Sequence, residues 1–172
     1  MIDLSIVVVS HGTRDLLAAC LASIERARRA TGAPSVETIV VDNGSCDGSV
    51  EVARAAAVQP RLVACVRNRG FAAAVNVALR LRRGRHVLLL NSDAEVDAAL
   101  LRGGSTLLDE SPGVGALGVA LVHPDGRPQR SVHPLPDWTT ELLPEPLLRR
   151  LRPRGFASTK RRAARASADD TR

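Results

Sequence analysis

Four short apolar runs, each followed by polar residues, recur along the first part of the chain. Their lengths of four to six residues and their valine, isoleucine and leucine content are typical of strands covered on both faces by helices. Stretches with apolar residues at helical spacing separate the runs, so the pattern predicts strands that alternate with helices. The predicted strands are Leu4–Val9, Thr38–Val41, Leu62–Val66 and His86–Leu90.

Helix signals fill the intervals between these strands. Thr13 is a predicted N-cap with Asp15 in the first turn, and Gly32 ends the helix that they open. Further helices are predicted over residues 49–57, 71–82 and 97–110. Val114–Val122 predicts another strand, and residues 124–127 have the composition of a hairpin turn. The alternation implies an α/β fold, with a Rossmann-like, mainly parallel sheet and helices on both faces.

Polar side chains gather where the predicted strands end: Asp42 after the second, Asn68 after the third, and Asn91 and Asp93 after the fourth. The carboxyl ends of parallel strands share one edge, where ligands of open α/β sheets bind. Carboxylate and amide oxygens suit a hard divalent cation that bridges a diphosphate. Each residue alone is equally typical of a turn, but their coincidence at one edge predicts a nucleotide-binding cleft.

Two residues near this edge add to the prediction. Gly70 permits a ligand to approach the backbone closely. Asn76 stands among small apolar residues of the predicted third helix, so its side chain either reaches the cleft or bonds to nearby backbone. The chain has no G-x-G-x-x-G after its first strand and no G-x-x-x-x-G-K-[ST] segment, which disfavours a dinucleotide fold and a P-loop.

Composition narrows the class of protein. A length of 172 residues is enough for one domain with a real core. Cys20, Cys46 and Cys65 are far apart and lack a C-x-x-C spacing, which predicts free thiols in a reducing compartment. No signal peptide is evident, and no apolar run approaches the roughly 18 to 20 residues of a membrane span. We therefore expect a cytoplasmic protein.

The net charge of +6 is unevenly placed. Residues 1–125 contain 13 arginines and 13 acids, whereas residues 126–172 contain 11 basic residues and 5 acids. The predicted organisation is a compact domain over 1–127, a Pro-rich extension over 128–151, and an irregular, basic, disordered C-terminal tail over 152–172. Arginines of the tail would favour anionic lipid at the inner face of a membrane, by about 1 kcal/mol each. Nucleic acid is not expected, because no aromatic residues are interleaved for stacking.

Four ordered motifs carry a resemblance to a known family. They are Ser-Ile-Val-Val-Val-Ser-His at 5–11, Ile-Val-Val-Asp-Asn-Gly-Ser-Cys-Asp-Gly-Ser at 39–49, Asn-Arg-Gly-Phe-Ala-Ala-Ala-Val-Asn at 68–76, and Leu-Leu-Leu-Asn-Ser-Asp-Ala at 88–94. They resemble the family 2 glycosyltransferases, and most of all the bacterial rhamnosyltransferase-like branch, which builds cell-wall or surface polysaccharides. The likeness covers about residues 3–150.

The resemblance implies a GT-A fold that binds a nucleotide-diphosphate sugar together with Mg²⁺ or Mn²⁺. It also implies an inverting transfer of the sugar to a saccharide or polyprenyl-linked acceptor. By motif match, Asp42 would contact the nucleoside and Asn68 would line its pocket. Combined with the pattern above, the predicted nucleotide-binding residues are Ser10, His11, Asp42, Asn68, Gly70 and Asn76, and the predicted metal ligands are Asp93 and Asn91.

The chain also departs from the family. Asn91 stands at the first position of the general Asp-x-Asp pattern, which removes one negative charge. The family's acceptor half carries a Gly-Gly-Phe-Asp stretch and a Glu-Asp motif that supplies the catalytic base, and no segment here matches either. The catalytic base is therefore unassigned; Asp137, Glu141 and Glu145 are interpreted as solvated residues. We expect a donor-binding half, from a truncated gene product or a fragment, or else a non-catalytic nucleotide-sugar-binding module.

Overall fold

The computed structural model describes residues 1–129, in which four strands alternate with four helices. The predicted segments up to residue 110 are confirmed, with ends that differ by a few residues at most. The elements are β1 (Leu4–Ser10), α1 (Arg14–Arg28), β2 (Val36–Asp42), α2 (Ser49–Ala55), β3 (Arg61–Ala64), α3 (Phe71–Leu81), β4 (His86–Asn91) and α4 (Ala98–Glu110).

The four strands form one parallel sheet in the order β3-β2-β1-β4. Ser10 at the end of β1 is in register with Asp42 at the end of β2, and Val9 is in register with Asn91 at the end of β4. The predicted parallel α/β sheet is therefore confirmed, and these strand ends share one edge.

Helices cover both faces of the sheet. On one face, Leu17, Leu21 and Ile24 of α1 pack in a buried cluster with Ile6 and Val8 of β1. On the other face, the side chains of the alternate strand residues Val7, Ile39 and Val41 pack against Ala74 and Ala78 of α3. Full burial of each large aliphatic side chain contributes about 1.5–3 kcal/mol. The core therefore lies on either side of β1 and β2 and holds their carboxyl ends rigidly.

The prediction that the fourth strand is buried on both faces is wrong. Within the described residues β4 pairs only with β1, so it is an edge strand. Leu89 shares the face of Val7 but is 52% exposed, because α3 packs over β1 and β2. An apolar run alone does not distinguish an edge strand from a central one.

The predicted strand over Val114–Val122 is also wrong, because this segment forms only an isolated bridge between Val122 and Pro128. Its apolar side chains are exposed, and glycines at 115 and 118 weaken a strand that has no buried face. The predicted hairpin turn is present: Gly126 N–H donates to the His123 carbonyl at 2.8 Å.

The chain divides into two compact units, with the boundary between Leu117 and Gly118. The predicted boundaries at 127 and 151 stay predictions, and the Pro-rich extension beyond residue 129 and the basic tail lie outside the described residues. Among the helices that the structure describes, none has the length and apolar content required to cross a membrane.

Candidate functional site

A cavity of about 370 Å³ opens at the carboxyl edge of the sheet. Five of the eight predicted site residues line it: His11, Asn68, Gly70, Asn91 and Asp93. The structure therefore brings together residues that are up to 82 positions apart in the sequence. The lining residues that the sequence analysis did not assign to the site are Val9, Thr13, Leu16, Asn43, Phe71 and Ser92.

Asn91 and Asp93 form one end of the cavity. Asn91 is the last residue of β4, and its carbonyl accepts a hydrogen bond from Ala94 N–H at 3.1 Å. The segment is therefore a tight turn as well as a lining of the cavity. Both side chains are exposed and offer hard oxygen ligands.

These two residues fit a cation that a ligand helps to hold. Within residues 1–129 no group of three His, Cys, Asp or Glu side chains surrounds a common point. Magnesium commonly binds through one or two carboxylates and completes its shell with substrate phosphates and water. The donor set therefore suits a cation bound jointly with a diphosphate, and it does not form a closed protein cage.

A chain of hydroxyl groups joins the three elements around this end. Thr13 Oγ1 lies 2.9 Å from Ser10 Oγ and 2.9 Å from Ser92 Oγ. Thr13 occupies the N-cap position of α1, as predicted, but its side chain makes no capping hydrogen bond. Ser10 is completely buried and does not line the cavity. Ser10 thus positions the first turn of α1 from below.

The thiol of Cys20 contacts the backbone at the Asn91 and Asp93 end of the cavity. Burial, helped by the negative charges of Glu95 and Asp93, raises the pKa of Cys20 to about 12. The residue therefore stays a neutral thiol, and its Sγ donates a weak hydrogen bond to the Asn91 carbonyl at 3.7 Å. All three cysteines are free, as the sequence predicts.

Asp42 is buried and does not line the cavity. It is 1% exposed, and its carboxylate accepts hydrogen bonds from both the backbone N–H and the hydroxyl of Ser45. This is the turn alternative that the sequence left open. Direct contact of Asp42 with a nucleoside stays a prediction, while its closure of the 42–45 turn is evident.

The opposite end of the cavity is built by Asn43, which the sequence analysis missed. Asn43 is 3% exposed and its Nδ2 donates to Asn68 Oδ1 at 2.9 Å. Gly44 has a positive φ of 82°, and a Cβ there would lie 2.7 Å from the backbone of Arg67. Only a glycine lets the loop after β2 approach the loop after β3 so closely. An amide pair 25 residues apart in sequence gives no local signal.

Apolar residues border the remaining part of the cavity. Leu16 on α1 and Phe71 at the start of α3 both line it, and they are 51% and 55% exposed. Gly70 precedes α3 with a φ of 84°. Asn76 is exposed on α3 and does not line the cavity, so its predicted place in the cleft has no support from this geometry.

Comparison with known proteins gives this site a context. An uncharacterized protein of Sinorhizobium fredii, y4gI, is 34% identical over 126 residues, which are 69% of this chain and 14% of that protein. Among solved structures, the mannosyltransferase PcManGT from Pyrobaculum calidifontis, in complex with GDP-Man and Mn²⁺, is 26% identical with a TM-score of 0.55. The matched region covers 63% of this chain and 33% of the mannosyltransferase chain.

S. aureus TarS 1–349 in complex with UDP-GlcNAc is 22% identical with a TM-score of 0.56, over 69% of this chain and 37% of that one. At this identity the likeness concerns the fold, which is the GT-A type that the sequence predicts. The chain spans well under half of each of these relatives. The sequence model of Glycosyl transferase family 2 matches residues 5–170. This chain therefore belongs to glycosyl transferase family 2.

Proposed function

We propose that the cavity binds the nucleoside diphosphate of a sugar donor, and that the chain supplies the donor-binding region of a glycosyltransferase. The observation that carries the proposal is the placement of Asn91 and Asp93 at one end of a cavity whose other end is formed by Asn68 and Gly70. Oxygen ligands at one end, and an amide close to half-exposed Phe71 at the other, match the two chemical parts of a nucleotide.

In this proposal Asn91 and Asp93 hold Mg²⁺ or Mn²⁺ together with the diphosphate. Such a cation, when bound, would neutralise charge on the departing diphosphate. PcManGT, which resembles this chain, has been solved with GDP-Man and Mn²⁺. Thr13 and Ser92 also line the cavity, and the hydrogen bond between their hydroxyls keeps the end of β4 beside the start of α1.

The proposed reaction is an inverting transfer of the sugar to a saccharide or polyprenyl-linked acceptor during cell-wall or surface polysaccharide synthesis. The specific tie to the rhamnosyltransferase-like branch rests on the sequence motifs. Such a displacement needs a base to take the proton of the acceptor hydroxyl. Asp137, Glu141 and Glu145 lie outside the described residues.

One observation favours a second candidate, a nucleotide-sugar-binding module without transfer activity. Among the described residues that line the cavity, His11 and Asp93 alone are titratable, and the proposal assigns Asp93 to the metal. Turnover that depends on an added acceptor separates the two candidates.

Isothermal titration of UDP and GDP, with and without Mn²⁺, tests donor binding. We expect Asp93→Ala to remove the enhancement of nucleotide affinity by the metal. Asp42→Ala should weaken binding under both conditions, because the 42–45 turn that carries Asn43 loses its closing hydrogen bonds. Asp125→Ala, which removes an exposed carboxylate in the hairpin, is the matched control. Equal affinity of the wild type and both site variants would contradict the proposal.

A further inference from the structure

Two backbone N–H groups fix the orientation of the Asn43 and Asn68 side-chain amides, which form one end of the cavity. Arg69 N–H donates to Asn43 Oδ1 at 2.9 Å, and Gly70 N–H donates to Asn68 Oδ1 at 2.8 Å. A backbone N–H is always a donor, so the atom that faces it in each amide is the oxygen. Asn43 Nδ2 then donates to Asn68 Oδ1 at 2.9 Å, which is consistent with both assignments.

This hydrogen-bond network leaves Asn68 able to act only as a hydrogen-bond donor toward the cavity. Its Oδ1 accepts two hydrogen bonds, which occupies both lone pairs. Its Nδ2 has no hydrogen-bond partner among residues 1–129, and the side chain is exposed at the cavity. Asn43 is itself held, since its N–H donates to the Ser10 carbonyl at 2.8 Å. Asn68 therefore presents an N–H₂ donor to the cavity, and Asn43 together with Gly70 N–H holds the amide in this orientation.

The position of Asn68 indicates which part of a nucleotide meets this donor. Asn43 follows β2, and β1 separates β2 from β4, which carries Asn91. Two strand spacings amount to roughly 10 Å, so a diphosphate at Asn91 and Asp93 leaves the base to reach toward Asn68. Half-exposed Phe71 also lines the cavity, and an apolar side chain suits the face of a base ring.

We propose that Asn43 is a positioning residue that sets base specificity, by making Asn68 select a base with an exocyclic carbonyl over one with an exocyclic amino group. The inference rests on the proposed nucleotide-binding function. Uracil O4 and guanine O6 are acceptors that Asn68 Nδ2 can reach, whereas cytosine N4 and adenine N6 are donors that would face another donor. The expected preference within each pair, UDP over CDP and GDP over ADP, is about tenfold.

A change of one atom at position 43 should weaken this preference. In Asn43→Asp, one carboxylate oxygen still accepts from Arg69 N–H, and the other replaces Nδ2 opposite Asn68 Oδ1. Two oxygens repel each other, so Asn68 loses the hydrogen bond from position 43 and is held only by Gly70 N–H, which still faces its Oδ1. The amide is then less firmly positioned, and the preference should weaken without reversing. Asn68→Asp places an acceptor at the cavity directly and does not depend on position 43. Gln59→Glu, an exposed amide that does not line the cavity, controls for the added charge.

The experiment is a competition titration of the four nucleoside diphosphates, each with Mn²⁺, against the wild type and the three variants. We expect UDP and GDP to bind best to the wild type and to Gln59→Glu, this preference to be weakened in Asn43→Asp, and CDP and ADP to bind best to Asn68→Asp. Melting curves identify any variant that does not fold. If either Asn43→Asp or Asn68→Asp is unfolded, the nucleotide preference of the other one tests the inference.

The outcomes separate this inference from the proposed function. If the wild type binds none of the four nucleotides, the proposed function is wrong and the inference falls with it. If the wild type binds nucleotides without preference within the pairs, the inference alone is overturned. It is also overturned if the folded site variants weaken all four nucleotides equally, since that is the result of a purely structural role.

Discussion

A single methyl group should have opposite effects at two glycines of this chain. Gly84 N–H donates to Ser5 Oγ at 2.8 Å, and a Cβ at Gly84 would lie 2.5 Å from the backbone nitrogen of Ser5. Gly84→Ala must shift β1 or β4, and we expect it to lower the free energy of unfolding by about 1–3 kcal/mol. Urea denaturation measures the change.

Gly103 is the matched control for this substitution. It lies exposed within α4, and no atom stands within 4 Å of the position that a Cβ would occupy. Gly103→Ala should raise the free energy of unfolding by about 0.5–1 kcal/mol, because alanine loses less backbone entropy in a helix. Equal destabilisation by both substitutions would show that the close approach at Gly84 has no energetic consequence.

At the residue scale, sequence indicates which edge a polar residue occupies but not which way its side chain points. Asp42 and Asn43 are adjacent and chemically similar, and the sequence analysis assigned the nucleotide to Asp42. In the structure Asp42 closes its own turn, while Asn43 reaches the loop that contains Asn68. That choice depends on the close approach of two loops through Gly44, which local pattern does not encode.

The end of α4 is tied to the base of the sheet by a charged cluster at the edge opposite the cavity. Asp109 accepts from Arg85 Nη1 at 2.7 Å and lies 2.8 Å from His86 Nε2, and Arg85 Nη2 also donates to Asp3 at 3.0 Å. Hydrogen bonding to Arg85, and then to His86, holds the pKa of Asp109 below its usual value of 3.8.

This depressed pKa gives Asp109 a stability contribution with a defined pH dependence. A carboxyl group whose pKa is lower in the folded state stabilises the protein above its unfolded-state pKa, and the contribution is lost as pH falls through the folded-state pKa. We expect Asp109→Asn to lower the free energy of unfolding by a constant amount between pH 7 and about pH 4. The difference in unfolding free energy between variant and wild type should then shrink as the pH falls further.

Urea denaturation between pH 7 and pH 3 measures the difference in unfolding free energy between the wild type and Asp109→Asn. Glu110→Gln removes the neighbouring charge, for which no ion pair is found among the described residues, and should leave the unfolding free energy nearly unchanged. A gap between wild type and Asp109→Asn that widens as the pH falls below 4 would contradict the assignment.

At the element scale, the alternation of apolar runs and helical periodicity was sufficient to predict β1 to β4 and α1 to α4. Each of these elements buries a face, and burial leaves a repeating pattern. The two errors have a common cause. Leu89 and Val114–Val122 are as apolar as buried strands, but their exposure is decided by whether another element covers them, which depends on the topology of the whole sheet.

At the scale of the whole molecule, the family and the fold followed from motifs that the sheet brings to one edge. The sequence relative and the two solved structures are much longer than the region they share with this chain. The groups proposed for donor binding lie within residues 1–129, whereas the acceptor site and catalytic base are unassigned. Binding and transfer are therefore separable properties, and the 172-residue chain permits each to be measured.

We expect this chain alone to bind donor but to transfer sugar slowly. General-base assistance contributes typically 10²–10⁴ in rate, and positioning of the acceptor contributes a comparable or larger factor. Slow hydrolysis of bound donor should remain, because water needs no acceptor pocket. The measurement is consumption of UDP- and GDP-sugars with Mn²⁺, with and without a saccharide or polyprenyl-linked acceptor, and Asp93→Ala serves as the control for background hydrolysis.

The decisive quantity is the dependence of the rate on the acceptor. Equal slow rates with and without acceptor, both reduced by Asp93→Ala, are the expected result. Acceptor-dependent turnover near 1 s⁻¹ or faster, the ordinary enzymatic range, would mean that the chain contains its own base. His11 is then the first residue to replace, since it is the titratable group other than Asp93 among the described residues that line the cavity. Asp137, Glu141 and Glu145 follow, because a base outside the described residues would leave the His11 variant active.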